Sequence, residues 1–238
     1  MPSLVLAHSP LTGPAAWGRL PDVLRAEGHD VAVVDVLDDD VPPYAARYVA
    51  RAALQVRAAG LATGAVLVGH SGAGYLLPQL GAAQAAARRP ARGYVFLDAG
   101  IPHGRGPATR LDLLRGEDRD LADELDRLLG LGEAYPTWAD DDLRDLVPDD
   151  ALRAALVASL RPRGRDFFAE PLPFPSGDAH GWPDAPCGYL QTSPAYAVPA
   201  RQARARGWQV VERDGGHFAA CADPEGLARD LLGLVAAM

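Results

Sequence analysis

Short apolar runs, each about one strand in length, alternate with stretches of helical periodicity along most of the 238 residues. That alternation predicts a parallel sheet covered by helices. The expected strands are residues 3–7, 31–35, 65–69, 93–98, 188–191 and 209–212. Helices are expected at 16–27, ended by Gly28, at 43–59, ended by Gly60, and from Ser71 to about residue 88. The last helix, 224–237, follows Asp223, a good N-cap, and has Pro224 at its first position, where the missing N–H costs nothing. The predicted class is α/β, a mostly parallel six-stranded sheet flanked by helices.

Residues 99–186 break the rhythm. Two or three acidic, amphipathic helices are expected there, near 108–130, 137–146 and 149–161, with no strand between them. A Pro- and Gly-rich tract, 161–186, then leads back to the core. The expected organisation is a core of 1–98 and 187–238 carrying a helical lid, 99–186. An insertion that leaves one strand and enters another should sit above the carboxyl ends of the sheet, where open α/β sheets bind ligands.

Composition narrows the function classes. Hydrophobic residues make up 48% and charged residues 23%, so the chain is globular rather than disordered. All 23 basic residues are Arg, a bias resembling the codon usage of a GC-rich, actinobacterial genome. A net charge of -8 argues against nucleic-acid or anionic-membrane partners, which leaves a small-molecule substrate. Cys187 and Cys221 make no disulfide framework and read as buried hydrophobes in a reducing compartment. The N-terminus has no basic stretch followed by an apolar signal region, and no run approaches a membrane span, so a cytoplasmic protein is expected. No metal, nucleotide or flavin motif is present, and no cofactor is expected. The acidic run Asp140-Asp141-Asp142 lacks the Gly-hinged spacing of a cation loop and fits a solvated helix start.

The strongest local signal is Gly69-His70-Ser71-Gly72-Ala73-Gly74, between a β-rich run and an Ala-rich helix. A serine on a sharp strand-to-helix turn is forced into a strained backbone and needs small neighbours two residues to either side. Its hydroxyl then projects above the sheet at a helix N-terminus. Gly69 and Ala73 fill those positions. The bland reading is a Gly-rich turn capped by Ser; a phosphate loop would need the Lys that is missing. The second signal is Gly215-Gly216-His217-Phe218, between the last strand and the last helix. A hydroxyl is a poor nucleophile at neutral pH and needs an adjacent base, usually imidazole. Among the other histidines, His8 ends the first strand, bracing the loop or reaching the pocket. His70 flanks the serine and packs sideways, while His29, His103 and His180 sit in connections.

With these motifs the chain resembles the α/β-hydrolase superfamily, in particular its small esterase and hydroxynitrile-lyase branch. Serine first and histidine near the C-terminus is that superfamily's order. The stretch from Leu4 to Trp17, with His8 and Gly13 in its turn, matches the family's first strand, His-bearing turn and Trp-bearing helix. Arg25 to Val31 matches the helix end and second strand. The resemblance covers roughly 1–101 and 187–238. It implies Ser71 as nucleophile, His217 as general base and an acid after the penultimate strand. In that place the chain has Tyr189-Leu190-Gln191-Thr192-Ser193-Pro194-Ala195-Tyr196, without an acid. Haloalkane dehalogenases and certain lipases carry it after the strand that follows the nucleophile helix, and that position is Asp98. The bland reading of Asp98 is a turn cap; Asp184 and Glu212 are less well placed.

The fold implies an oxyanion hole with one N–H from Gly72. The family's other donor is two residues after the first-loop histidine, where Pro10 has no N–H; either Leu11 is the substitute, its N–H turned into the site, or the hole is incomplete and hydrolysis is not the native reaction. Trp138, Phe167, Phe168 and Trp182 could line an apolar substrate pocket, with His8, or could glue the lid to the core. The expected function is cofactor-free serine hydrolysis of a small, largely apolar ester, lactone or thioester. The alternatives are a lyase, cyclase or dehydratase on the same scaffold, possibly in secondary metabolism, and a ligand-binding module that has lost catalysis. A carboxylate nucleophile, as in epoxide hydrolases, is disfavoured by Ser71.

Overall fold

The computed structural model describes residues 1–36, 41–61, 64–102, 107–172 and 182–238. Six strands form one all-parallel sheet: β1 (Ser3–Ala7), β2 (Val31–Val33), β3 (Ala65–Ser71), β4 (Gly93–Ala99), β7 (Cys187–Gln191) and β8 (Gln209–Glu212), in the order β2-β1-β3-β4-β7-β8. The short β5 (Ala108–Thr109) and β6 (Pro171–Leu172), not among the expected strands, pair with each other at the two ends of the run of helices after β4. A two-residue antiparallel pair has no hydrophobic run of its own and leaves no periodic trace.

The central strands read as continuous apolar runs because both faces are buried. Val5, Leu67, Tyr94, Phe96 and Tyr189 point to one side, with Tyr48 and Ala52 of α2 (Tyr44–Ala58) and Leu80 of α3 (Leu77–Ala86). Leu4, Leu6, Val66, Val68, Val95 and Leu97 point to the other. There they meet Leu20 and Leu24 of α1 (Leu20–Ala26) and Leu227, Leu231 and Leu234 of the C-terminal helix, α11 (Pro224–Ala237). Asp223 caps that last helix through Gly226 N–H, as its sequence announces.

The segment after β4 contributes α4 (Arg110–Glu117), α5 (Arg119–Gly130), α6 (Asp140–Leu143), α7 (Asp150–Ala158) and α8 (Arg165–Ala169). The single helix expected at 108–130 is two helices. Asp118, in extended backbone, ends the first and caps the second by accepting from Leu121 N–H. A further helix, α9 (Ala197–Ala205), which the apolar pattern did not reveal, makes the crossover between β7 and β8, and α10 (Ala219–Ala222) follows β8. Its Ala- and Arg-rich sequence buries only Pro199, Ala200 and Ala203, too narrow a stripe to mark a helix. Cys187 and Cys221 are free and buried, and burial pushes both thiols up to about 12.

Candidate active site

Ser71 closes β3 at φ 57°, a left-handed conformation that a non-glycine residue adopts only under constraint. Its neighbours permit the turn. A Cβ on Gly69 would come within 2.9 Å of the Leu77 side chain, and one on Gly74 within 2.2 Å of the Gly100 carbonyl oxygen. The chain can therefore swing from strand to helix against β4 without a clash. Two 3-10 and α turns follow, and the Ser71 side chain faces a cavity of about 300 Å³.

Asp98 is the second strained residue, at φ 41°. The β3–β4 register slips there, His70 facing Leu97 and Ser71 facing Ala99, so Asp98 is the extra residue of a bulge. Bulges re-aim side chains next to active sites. The Asp98 carboxylate, fully buried, accepts from His217 Nδ1 at 2.9 Å, from the Ser193 hydroxyl at 2.6 Å and from the N–H groups of Thr192 and Ser193 at 2.8 and 2.9 Å. Burial would raise this acid, but the contact with His217 and the donors from Ser193 and Thr192 outweigh it and hold the carboxyl below its ordinary value. The other acids considered lie elsewhere. Asp184 accepts from the Tyr94 hydroxyl, and Glu212 pairs with Arg204.

His217 is braced on both sides. His70 donates from Nε2 to the His217 carbonyl at 2.8 Å, and the two rings lie 4.5 Å apart. Burial, then the neighbouring His217, lowers His70 to about 3, so it stays neutral. On the other side Tyr196 stacks flat on the imidazole, 5.2 Å between centroids at 6°. The Tyr196 hydroxyl lies 3.2 Å from Ser71 Oγ, and Ser71, Tyr196 and His217 line the same cavity. Burial raises the Tyr196 phenol well above its ordinary value, leaving it a neutral O–H donor. Sequence reasoning passed over Tyr196 while searching its stretch for an acid; the position, just past the penultimate strand, was the available signal.

The first loop departs from expectation. The Leu11 N–H points at Ser9 Oγ, 3.3 Å away, rather than into the site, and Pro10 has none to offer. The loop is fixed in that shape by Thr12 N–H on the Ser9 carbonyl and by Arg161 N–H on the Leu11 carbonyl. Ser9 lines the cavity instead, its Oγ 3.3 Å from where a Cβ on Gly72 would stand.

Of the expected pocket residues, Trp138, Phe167 and Phe168 line the cavity with Leu11 and Gly72. His8 does not. Its Nδ1 donates to the Ser9 carbonyl and its Nε2 accepts from Val36 N–H, while burial lowers its pKa, so it is a neutral brace under the loop. Nor does Trp182, which is half-buried and packs on Tyr94 and Trp208 against the core. His29 is in a connection, with Nδ1 on the Pro2 carbonyl, whereas His103 and His180 lie outside the described residues. Among the cavity residues without a sequence signal are Arg110 and Glu117, polar members of an ordinary helix.

The model of the alpha/beta hydrolase family matches residues 4–230. No curated protein matches this chain in sequence. Among solved structures, an extracellular alpha/beta-hydrolase from a Paenibacillus species superposes with a TM-score of 0.75 at 16% identity, over 98% of this chain and 99% of that one. Tomato methylketone synthase I, as its H243A variant with beta-ketoheptanoate, gives 0.70 at 17% identity, over 99% and 98%. A methylesterase from Arabidopsis gives 0.69 at 17% identity, over the full length of both chains. Identities this low speak for the fold alone, but the family match spans nearly the whole chain: it belongs to the alpha/beta hydrolase family.

Proposed function

We propose that this protein is a cofactor-free serine hydrolase cleaving a small, largely apolar ester, lactone or thioester. Ser71 attacks the carbonyl carbon, His217 takes its proton and gives it to the leaving group, and water then releases the acyl group by the same route. Asp98 holds the imidazole in the tautomer with Nε2 free to accept. The observation that carries this reading is the 2.9 Å contact between His217 Nδ1 and the Asp98 carboxylate, on the cavity that Ser71 also lines. In this reaction Ser71 Oγ, now against the Tyr196 hydroxyl, turns toward the imidazole, and such bonds commonly form only in the substrate complex.

The oxyanion is held by Gly72 N–H and, in place of the missing backbone donor, by the Ser9 hydroxyl. In support, Ser9 Oγ already accepts the Leu11 N–H, so its own proton is free to point at the site. The segment between β4 and β7 acts as the lid and sets the substrate. Its Trp138, Phe167 and Phe168 make the cavity largely apolar, and about 300 Å³ is the low end of ligand pockets, which suits a small substrate.

A fluorophosphonate probe tests the reading. Intact-mass analysis should show one adduct, peptide mapping should place it on Ser71, and Ser71→Ala should abolish it. The Tyr196–Ser71 contact favours a second reading, a lyase, cyclase or dehydratase in which the hydroxyls relay protons without an acyl-enzyme. Absence of any adduct at high probe excess would replace the first reading by the second.

A further inference from the structure

Glu117, at the C-terminal end of α4, is an acid in the wall of an otherwise largely apolar cavity. It shares that wall with Ser71, Tyr75 and Tyr196. The Tyr75 hydroxyl and the Ile101 N–H both donate to its carboxyl, yet its Oε1 is buried with no hydrogen-bond partner among the described residues. Burial dominates its chemistry and raises the carboxyl to about 7, its two donors offsetting only part of the shift. Arg110, two turns back on the same helix face, does not neutralise it. Its Nη1 is held by Glu170 and the Phe167 carbonyl and the group lies over the Phe167 ring, while its Nη2 is buried without a hydrogen-bond partner among the described residues.

A buried polar oxygen without a partner is costly, and native chains keep such groups chiefly where something else completes them. A carboxyl near half-ionisation offers an O–H donor in one state and a bare acceptor in the other. A carbonyl or ether oxygen on a ligand satisfies only the first state, and an ammonium only the second. A hydroxyl satisfies both. We infer that Glu117 forms a polar subsite in the cavity, and that the substrate carries a hydroxyl, away from its scissile carbonyl, which Glu117 recognises. The inference rests on the hydrolase reading only for the nature of the bond cleaved.

Binding to Ser71→Ala protein tests it without turnover, by calorimetry with methyl octanoate and its derivatives bearing one hydroxyl at successive carbons of the chain. At least one hydroxylated isomer should bind about tenfold more tightly than methyl octanoate. Adding Glu117→Leu should bring that preference within about twofold. Adding Glu117→Gln, which keeps a donor and an acceptor, should retain part of it. Should Glu117→Leu not fold, Glu117→Met makes the same test. No preferred isomer, or a preference that survives in the Leu or Met variant, overturns the assignment. Failure of the hydrolase reading shows separately, as absence of the fluorophosphonate adduct on the unaltered protein.

Discussion

The two oxygens of Asp98 have different partners, and this decides what an amide there would do. Oδ1 faces the N–H groups of Thr192 and Ser193, and Oδ2 faces the Ser193 hydroxyl and His217 Nδ1. In Asp98→Asn the amide oxygen must take the Oδ1 side, because two backbone donors point there. The NH2 group then points at His217 and forces the proton onto Nε2, the tautomer that cannot act as a base. Turnover of an activated ester should fall on the order of a thousandfold or more with KM little changed, read from steady-state kinetics. Loss limited to about tenfold would remove Asp98 from the relay. At this scale the sequence offered Ser71 and His217 through their glycine-flanked positions, and Asp98 through the family's second acid position. Ser9 and Glu117 meet the site only through neighbours distant in the chain, so nothing beside them in sequence marks them, and Tyr196 is marked only by its place just past the penultimate strand.

Among the elements, the junction of β3, α3 and β4 carries most of the site. A Cβ on Gly74 would stand 2.2 Å from the Gly100 carbonyl oxygen, 2.9 Å from the Ala99 Cβ and 3.2 Å from the Phe96 ring. The first of these is backbone and cannot rotate away, so Gly74→Ala must push α3 off the end of β4, the strand that aims Asp98. Overpacking of this kind costs about 1–3 kcal/mol. Thermal unfolding should show the loss, and kcat should fall with it although no reacting group has changed. A variant as stable and active as the parent would mean that the junction yields freely. The break at Asp118 was equally invisible, because the heptad-like pattern of 108–130 continues through it; one capping side chain separates the two helices.

For the whole molecule, Glu117 and Asp98 bend the stability curve in opposite senses. Glu117 is raised from 4.5 to about 7, so between those values the folded chain holds more protons than the unfolded one. Stability must therefore fall as pH rises through that window, by up to about 3 kcal/mol for the full shift. Asp98 is lowered, so its contribution is present above the ordinary carboxyl range and is lost as pH falls through its folded value. Denaturant titrations at pH 5 and pH 8 should show Glu117→Gln gaining on the unaltered protein as pH rises. A constant difference between the two would mean that Glu117 is ionised in the folded state.

The sequence by itself determined the parallel sheet and most strand boundaries, because strands buried on both faces must be apolar throughout. It also determined the turn at Ser71, since only small residues tolerate the close approach at Gly69 and Gly74. The helices between β4 and β7 were legible in kind but not in their ends or breaks, which follow from individual caps. Tertiary structure alone decided the rest. The bulge at Asp98 exists only when β4 lies against β3, and the Tyr196 hydroxyl reaches Ser71 only because the crossover after β7 folds back over the sheet. The Leu11 N–H was drawn to Ser9 by a loop clamped from Arg161, about 150 residues away in the chain. Glu117 is an unremarkable helix acid until the fold buries it, and the loss of water is what turns it into a group that binds.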